Sequence, residues 1–276
     1  MIEHARVVLL RPSPAGYEVL LLRRNDGTQL PGGGIHEGED ARVGAARTVF
    51  EDCGVLLARD VGGVASTLEV PNLATLRRKI RDGSNATETL RTHSLTWSSE
   101  ALLPWSHWLT PSIHLLDAVA SMRAPAQPGL AEAAQISTRL YVAELPGGMR
   151  TGFDKTESVS EHWISPASGE PLAEELSLSP LLIRTCWELA RHVSIKAVLE
   201  TARKRASEQH PILPRLAARS DSRCVLLPWD PEYETAGQGE SRPFTYQPSW
   251  AIGPSRFVLE DRAWKHLAAP GSTRAG

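Results

Sequence analysis

Cysteine is scarce in this chain of 276 residues, which contains only three. Cys53, Cys186 and Cys224 are far apart and form no CxxC or Cys/His pattern. The sequence therefore contains no signature of a zinc site or of a disulfide framework. We expect three reduced thiols and a cytoplasmic protein.

The sequence also lacks a surplus of either charge and any long apolar run. The formal net charge is −2, whereas nucleic-acid binders usually carry a basic surplus. No apolar run approaches the roughly 20 residues that a membrane-spanning helix needs. The opening "MIEHARVVLL" places Glu3 and His4 before a short apolar run, which is typical of a strand and not of a secretory leader. We expect neither a nucleic-acid partner nor a membrane partner.

What the sequence does contain is an α/β pattern near its start. In order, the pattern consists of strands at 5–10 and 17–24, glycines at 32–34, a helix at about 40–53 and a strand at 55–58. Gly54 follows the helix at the position where a left-handed residue ends many helices. This alternation predicts an α/β fold.

Further along, the pattern predicts an insertion and an extension. Helical spacing of Leu73, Leu76 and Ile80 suggests a helical insertion at about 64–135. The remaining predicted elements are strands at 137–145 and 158–165, helices at 178–194 and 195–209, and one strand-like run at 223–234. We assign 1–210 to one domain with its insertion, and 211–276 to a C-terminal extension packed on the same domain.

The helix at 40–53 carries two acids in its last turn. Apolar residues at helical spacing form one face, and Arg47, Thr48, Glu51 and Asp52 lie roughly opposite. Glu51 and Asp52 sit where the helix dipole disfavours carboxylates. Two interpretations follow. The acids belong to a solvated face with an Arg47–Glu51 ion pair, or they hold Mg²⁺ or Mn²⁺, which prefer oxygen ligands.

Three glycines, Gly32, Gly33 and Gly34, precede this helix, and Glu39 stands at its start. Backbone amides without side chains, followed by a helix N-terminus, favour phosphate oxygens. A glycine loop combined with an acidic helix face is the combination that a metal–diphosphate site requires. We therefore expect the three glycines to contact a phosphorylated substrate.

These residues resemble the signature of the Nudix hydrolase family. The signature has a Gly, a Glu after five residues, and then Arg-Glu, Glu-Glu and Gly at fixed spacings. This chain matches every spacing with Gly33, Glu39, Arg47, Thr48, Glu51, Asp52 and Gly54. Thr48 replaces the first Glu of the Arg-Glu pair, and Asp52 replaces the last Glu. The segments "WSHWLTP", "HWISP" and "LLPWDPEY" further resemble the coenzyme A diphosphatase branch.

The resemblance implies a Nudix α/β/α sandwich with a mixed sheet and hydrolysis of a diphosphate linkage that depends on Mg²⁺ or Mn²⁺. The implied substrate is a nucleoside diphosphate derivative, with coenzyme A or an acyl-coenzyme A suggested by the branch. Glu51 and Asp52 are the implied metal ligands, Glu39 is a ligand or helper, and Arg47 orients a carboxylate.

Thr48 cannot ionise usefully and ligates metals poorly, so its presence could lower the rate by ~10²–10⁴-fold, the size of a typical acid–base contribution. Three outcomes stay open. The protein hydrolyses a diphosphate with the remaining acids, or it uses the scaffold for a different reaction. Alternatively, it binds a nucleotide-like ligand without cleaving it, since a fold does not fix a function.

Other side chains are weaker candidates, each with a structural alternative. Glu157 and Glu161 precede Trp163 and are candidate extra metal ligands or ordinary surface acids. Arg23 and Arg24 could steady a phosphate, and His36 could reach one. The aromatic residues Trp105 and Trp108, with His107 between them, could stack on adenine, although packing in the core or in a homodimer is favoured.

Basic residues along the two C-terminal helices could bind a phosphate-rich ligand, but interleaved acids favour a solvated face. The residues concerned are Arg184, Arg191, Lys196, Arg203, Lys204 and Arg205, with Glu188, Glu200 and Glu208 between them.

Overall fold

The computed structural model describes residues 1–25, 27–61, 73–110, 135–152, 158–168, 175–218, 223–261 and 263–267. The strands are β1 (Ile2–Ser13), β2 (Gly16–Arg24), β3 (Gly27–Gln29), β4 (Gly32–Gly34), β5 (Ala58–Asp60), β6 (Leu95–Trp97), β7 (Leu103–Thr110), β8 (Ile136–Glu144), β9 (Ser158–Ile164), β10 (Pro211–Ile212), β11 (Arg215–Ala218), β12 (Arg223–Leu226), β13 (Arg256–Glu260) and β14 (Ala263–Leu267). The helices are α1 (Ala41–Cys53), α2 (Leu73–Arg81), α3 (Ala86–Arg91), α4 (Pro180–Leu189), α5 (Ile195–Arg205) and α6 (Tyr233–Ala236). Among the described helices, none combines the length and apolarity needed to span a bilayer.

An eight-stranded mixed sheet forms the centre of the molecule. Its main path runs β10-β7-β8-β1-β2-β3, while β4 pairs with β1 and β9 pairs with β2. Strands β1 and β8 are parallel, whereas β1 and β2 form an antiparallel hairpin. The predicted strands at 5–10, 17–24, 137–145 and 158–165 are confirmed, with somewhat different ends.

Helices cover both faces of this sheet, so the predicted α/β/α sandwich is confirmed. Because side chains alternate along a strand, Val7 and Leu9 pack with α1 while Val8 and Leu10 pack with α4 and α5. All four side chains are fully buried. The central strand therefore contributes to two separate cores, which fixes the helices on either side.

Helix α1 begins and ends as its sequence predicts. The Asp40 carboxylate caps the N-terminus by accepting hydrogen bonds from the amides of Arg42 and Val43 at 2.9 and 3.2 Å. Gly54 ends the helix with φ of 71°, a left-handed conformation that glycine adopts without strain. Val49 and Phe50 are completely buried against the sheet. These contacts give α1 a fixed position from which to present its other side chains.

Two predicted elements are wrong in detail. Residues 55–57 are buried but form no strand, and the short strand β5 begins only at Ala58. The insertion predicted at about 64–135 does contain α2 and α3, but β7 at its centre is a strand of the main sheet. The turn-like prolines and tryptophans of this segment obscured its strand character, which pairing with β8 stabilises. Residues 62–72 and 111–134 lie outside the described residues.

The region after Pro211 contains more strands than predicted. Strands β11, β12, β13 and β14 form a separate antiparallel sheet, whereas the sequence suggested one strand-like run at 223–234. Val225 and Phe257 from this sheet join the same buried cluster as α4 and α5. Short strands separated by proline and glycine show little periodicity, so only their tertiary pairing revealed them.

The basic residues of α4 and α5 divide into two groups. Arg184 and Arg205 are buried and share the carboxylate of Glu188, with distances of 2.6 and 2.8 Å. The predicted solvated face is therefore wrong for these two residues. Arg184 is covered by the segment 250–254, to whose carbonyl oxygens it donates, and Arg205 lies over the ring of Trp105. Arg191, Lys196, Arg203 and Lys204 are exposed, as predicted.

Candidate functional site

A cavity of about 510 Å³ lies between α1, β4 and the first residues of β1. It brings together most of the residues that the sequence pattern selected. Its described lining consists of His4, Arg6, Arg24, Gln29, Gly32, Gly33, Gly34, Ile35, His36, Arg47, Thr48, Glu51 and Asp52. Glu39 lies behind this lining, in contact with Arg47.

The three glycines form strand β4 and not a free loop. They pair with β1, with Gly32 opposite Arg6 and Gly33 opposite Ala5. At Gly32 φ is +138°, and an added Cβ would lie 2.3 Å from the carbonyl oxygen of Ala5. A glycine is therefore required there by close backbone packing. The expectation that the glycine amides lead directly into a helix N-terminus is wrong, because α1 begins seven residues after β4. The Asp40 carboxylate also accepts hydrogen bonds from two amides in the first turn of α1.

Arg47 is the centre of the acidic cluster. Its Nε and Nη2 donate to the two carboxylate oxygens of Glu39 at 2.8 and 2.7 Å. Its Nη1 donates to Glu51 at 2.9 Å, and Nη2 also donates to the Gly34 carbonyl. Burial opposes the charge of Arg47, but the two carboxylates outweigh it and raise its pKa. The predicted Arg47–Glu51 ion pair is therefore present, as part of a larger buried network.

The pKa values of Glu39 and Glu51 are shifted in opposite directions. Burial raises the pKa of both carboxyls. For Glu39, the bonds from Arg47 and from the His36 amide outweigh burial, so its pKa falls below the usual value. For Glu51, burial outweighs the effect of Arg47 and the pKa is raised. Glu51 is thus the more basic carboxylate and the one that lines the cavity.

Asp52 is held by a second arginine. Its Oδ2 accepts hydrogen bonds from Arg24 Nη2 at 2.6 Å and from the Gly32 amide at 2.7 Å. Burial nevertheless raises the pKa of Asp52, because it outweighs the opposing effects of Arg24 and Gly32. This carboxylate therefore links α1 to β2 and β4 across one side of the cavity.

Thr48, at the position where the family signature has a glutamate, directs its hydroxyl back onto its own helix. Oγ1 lies 2.9 Å from the Gly44 carbonyl and 3.2 Å from the Ala45 carbonyl. Its methyl group packs against Gly33, where an added Cβ would lie 3.5 Å away. The residue is only 4% exposed. The Thr48 hydroxyl therefore donates its proton to a carbonyl oxygen of its own helix.

The described residues do not fit the metal centre that the resemblance implies. Among them, no group of three or more His, Cys, Asp or Glu side chains is arranged to hold a metal ion. Both oxygens of Glu39 and one oxygen each of Glu51 and Asp52 are bonded to arginines. Mg²⁺ or Mn²⁺ stays a prediction of the resemblance, and we assign no chemical step to it.

The structure does not bring every predicted site residue to the cavity. Arg23 is exposed and outside the lining, because neighbouring side chains of a strand point to opposite faces. Glu161 accepts a hydrogen bond from Thr151 at 3.2 Å, and its buried Oε2 has no hydrogen-bond partner among the described residues. It does not line the cavity. Glu157 lies outside the described residues.

The tryptophans predicted to form an aromatic wall lie in the core. Trp105 and Trp108 are each 1% exposed and belong to the buried cluster that includes α4 and α5. Arg205 covers the ring of Trp105 at 4.2 Å from its centroid. His107 contacts Ser137 at 2.9 Å, and burial lowers its pKa to about 4. Neither tryptophan is placed to stack on a ligand in the cavity. Both pack in the core, which was the favoured alternative.

Several residues at or near the site were missed. His4, Arg6 and Gln29 line the cavity, and the alternation of polar His4 and Arg6 with apolar neighbours could have indicated a polar strand face. Arg77 of α2 donates to the carbonyl oxygens of Glu51 and Asp52 at 2.6–3.0 Å. No local signal in the sequence points to this contact.

The three cysteines are free thiols, as expected. Burial raises the pKa of Cys53 and of Cys186 to about 12, so both are protonated and unreactive at neutral pH.

No protein-family model matches the chain, and no curated protein gives a significant match. A NUDIX hydrolase from Alicyclobacillus acidocaldarius superposes with a TM-score of 0.57 at 16% identity, covering 72% of this chain and 96% of that chain. An Ap4A hydrolase from C. elegans covers 75% of this chain and 96% of its own, with 13% identity and a TM-score of 0.35. A MutT protein from Methanosarcina mazei covers 75% and 93%, with 11% identity and a TM-score of 0.30. The first of these similarities shows that the chain has the Nudix fold.

Proposed function

We propose that the protein hydrolyses the diphosphate linkage of a nucleoside diphosphate derivative. The observation that carries this proposal is the cavity, in which the signature residues of α1 meet two further arginines, Arg6 and Arg24, and a glycine strand. Coenzyme A or an acyl-coenzyme A is the substrate that the sequence resemblance favours. We place the diphosphate against Arg6 and Arg24, whose planar guanidinium groups match phosphate oxygens.

In this proposal Glu51 accepts the proton of the attacking water. Its Oε2 is bonded to Arg47, which fixes the carboxylate and leaves Oε1 outside that bond. Burial raises the pKa of Glu51 and so makes it a better base than an exposed glutamate. Arg47 orients Glu51 and does not touch the substrate in this scheme. The absence of a carboxylate at Thr48 lowers the rate by ~10²–10⁴-fold relative to a complete set of acids.

A substrate screen tests the proposal directly. Coenzyme A, dinucleotides and nucleotide sugars are incubated with the protein in Mg²⁺, in Mn²⁺ and in EDTA, and phosphate-ester products are measured. Thr48→Glu should raise metal-dependent turnover, since it adds a carboxylate at the edge of the cavity. Thr48→Gln is the matched control, because it has the same shape without the charge and should leave turnover unchanged.

Glu51→Gln should abolish turnover in the same screen, because the amide cannot accept the water proton. Product formation that is indifferent to both Thr48→Glu and Glu51→Gln would remove α1 from the reaction.

Binding without cleavage is the second candidate. The observation that favours it is the combination of a threonine at position 48, with its hydroxyl bonded to helix carbonyls, and signature acids that are each paired with arginine. This candidate predicts saturable binding of a diphosphate ligand and no product after long incubation. Turnover of any screened compound that is lost in Glu51→Gln would exclude it.

A further inference from the structure

The arrangement of charge around the cavity differs from that of a cation site. Its described lining holds three guanidinium groups, from Arg6, Arg24 and Arg47, and two carboxylates, from Glu51 and Asp52. With the histidines neutral, the lining has a formal surplus of one positive charge. Counting Glu39 behind Arg47 brings the total to zero. The lining therefore has no net negative charge that would attract a divalent cation, whereas its guanidinium groups can donate hydrogen bonds to a diphosphate.

The carboxylates of Glu51 and Asp52 are also already hydrogen-bonded to arginines. Arg47 makes four hydrogen bonds, to Glu39, Glu51 and Gly34, and is 4% exposed. A cation that recruited Glu51 would have to compete with this buried guanidinium. A cation that recruited Asp52 would have to displace both Arg24 and the Gly32 amide from Oδ2.

An anion does not have to displace either carboxylate. Arg6 Nη1 donates to the Leu30 carbonyl at 2.9 Å, and Arg24 Nη2 donates to Asp52 at 2.6 Å. A guanidinium group has five N–H donors in a planar fork, so each arginine can keep this bond and also donate to phosphate oxygens. Asp52 then fixes the direction of Arg24, as carboxylates commonly orient cationic side chains that bind ligands. The 2.6 Å distance between Arg24 Nη2 and Asp52 Oδ2 is that of a strong charge-assisted hydrogen bond.

We infer that this cavity binds a diphosphate group without a divalent cation, through Arg24 and Arg6, with Asp52 acting as a positioning residue for Arg24 and not as a metal ligand. The inference rests on the proposed function, because it takes the diphosphate of that substrate as the ligand. It differs in assigning to arginines the positive charge that the family resemblance assigns to Mg²⁺ or Mn²⁺.

The test is the affinity of the full-length protein for inorganic pyrophosphate, measured by isothermal titration calorimetry in EDTA and again in Mg²⁺. We expect binding in EDTA that is at least as tight as binding in Mg²⁺, since Mg²⁺ also removes free pyrophosphate. Arg24→Gln should weaken binding in EDTA at least tenfold. Arg23→Gln removes the same charge from the neighbouring residue outside the cavity and should change the affinity less than twofold. Thermal melts of both variants verify folding.

Asp52→Asn separates the two roles of that residue. The asparagine keeps an oxygen acceptor for Arg24 and removes a negative charge from the anion site, so pyrophosphate should bind equally well or more tightly. A metal ligand would behave in the opposite way, because its loss would weaken binding in Mg²⁺. The protein can also be titrated directly with Mn²⁺, with the free ion measured by its electron paramagnetic resonance signal. This titration should show no tight, stoichiometric Mn²⁺ site.

The possible failures are distinguishable. Pyrophosphate binding that requires Mg²⁺, or that Asp52→Asn weakens in Mg²⁺ but not in EDTA, overturns the inference and leaves the proposed function standing. Binding in neither buffer overturns both. Metal-independent binding without turnover of any substrate supports the inference and contradicts the proposed hydrolysis.

Discussion

Replacing Arg47 by methionine should strongly destabilise the protein at neutral pH. The guanidinium makes four hydrogen bonds, and its side chain is 5% exposed beside Glu39 at 13% and Glu51 at 21%. Methionine fills similar space but leaves two largely buried carboxylates without their partner. Removal of one member of a buried ion pair costs ~3–5 kcal/mol of the free energy of unfolding. Because Glu51 keeps some contact with water, we expect about 3 kcal/mol.

The loss should depend on pH in a defined direction. In the wild type, the pKa of Glu39 is lowered on folding, so its pairing stabilises the fold above the unfolded pKa and this contribution is lost as pH falls through the folded pKa. The pKa of Glu51 is raised, so its ionisation costs stability as pH rises through the folded pKa. In the variant both acids can protonate to escape unpaired burial. The deficit should therefore shrink as the pH is lowered from 7 towards 4.5.

Urea unfolding followed by tryptophan fluorescence measures these differences. Arg91→Gln is the control, since Arg91 and Glu88 form an exposed pair whose loss should cost only ~0.2–0.5 kcal/mol. Adding Glu39→Gln and Glu51→Gln to the Arg47 variant should recover part of the stability, because no buried charge then remains unpaired. A deficit below about 1 kcal/mol at pH 7, or one that is equal at pH 4.5, would refute the reasoning.

Three further outcomes can be measured by the same unfolding assay. Gly32→Ala should lower stability by more than ~1 kcal/mol, because its Cβ would clash with the Ala5 carbonyl at a left-handed φ. Arg77→Ala removes the donors to the C-terminal carbonyls of α1 and should cost ~1–3 kcal/mol. Glu188→Gln leaves two buried arginines without their shared carboxylate and should cost ~3–5 kcal/mol, whereas Glu200→Gln on the exposed side of α5 should cost under ~0.5 kcal/mol.

Local sequence patterns determined α1 and its surroundings. Asp40 and Gly54 define the ends of the helix through interactions that span only a few residues, so they could be recognised without the fold. The apolar spacing of Val49 and Phe50 likewise predicted which side packs on the sheet. The long strands β1 and β2 were equally evident, because each contains a continuous apolar run.

Tertiary pairing decided the elements that local patterns did not reveal. β7 was assigned to a helical insertion because its tryptophans and prolines lack regular alternation. Hydrogen bonding to β8 and β10 makes it a strand. The same is true of the sheet formed by β11–β14. The core positions of Trp105 and Trp108 also depend on the tertiary structure, because their burial under α4 and α5 follows from where β7 lies in the sheet.

For the candidate site, the local pattern predicted that the signature residues lie close together, because most of them occupy a single helix or the glycine segment shortly before it. The sequence did not determine which charges they meet. Arg6, Arg24 and Arg77 come from three other elements, β1, β2 and α2. The bond from Arg24 to Asp52 spans 28 residues and the bond from Arg77 to the Glu51 carbonyl spans 26, so these contacts exist only after the sheet and α2 are assembled. Electrostatic interactions act through space and not along the chain. The pairing of Glu51 with Arg47 could be predicted because both lie one turn apart on the same helix, whereas the pairing of Asp52 with Arg24 exists only in the assembled fold.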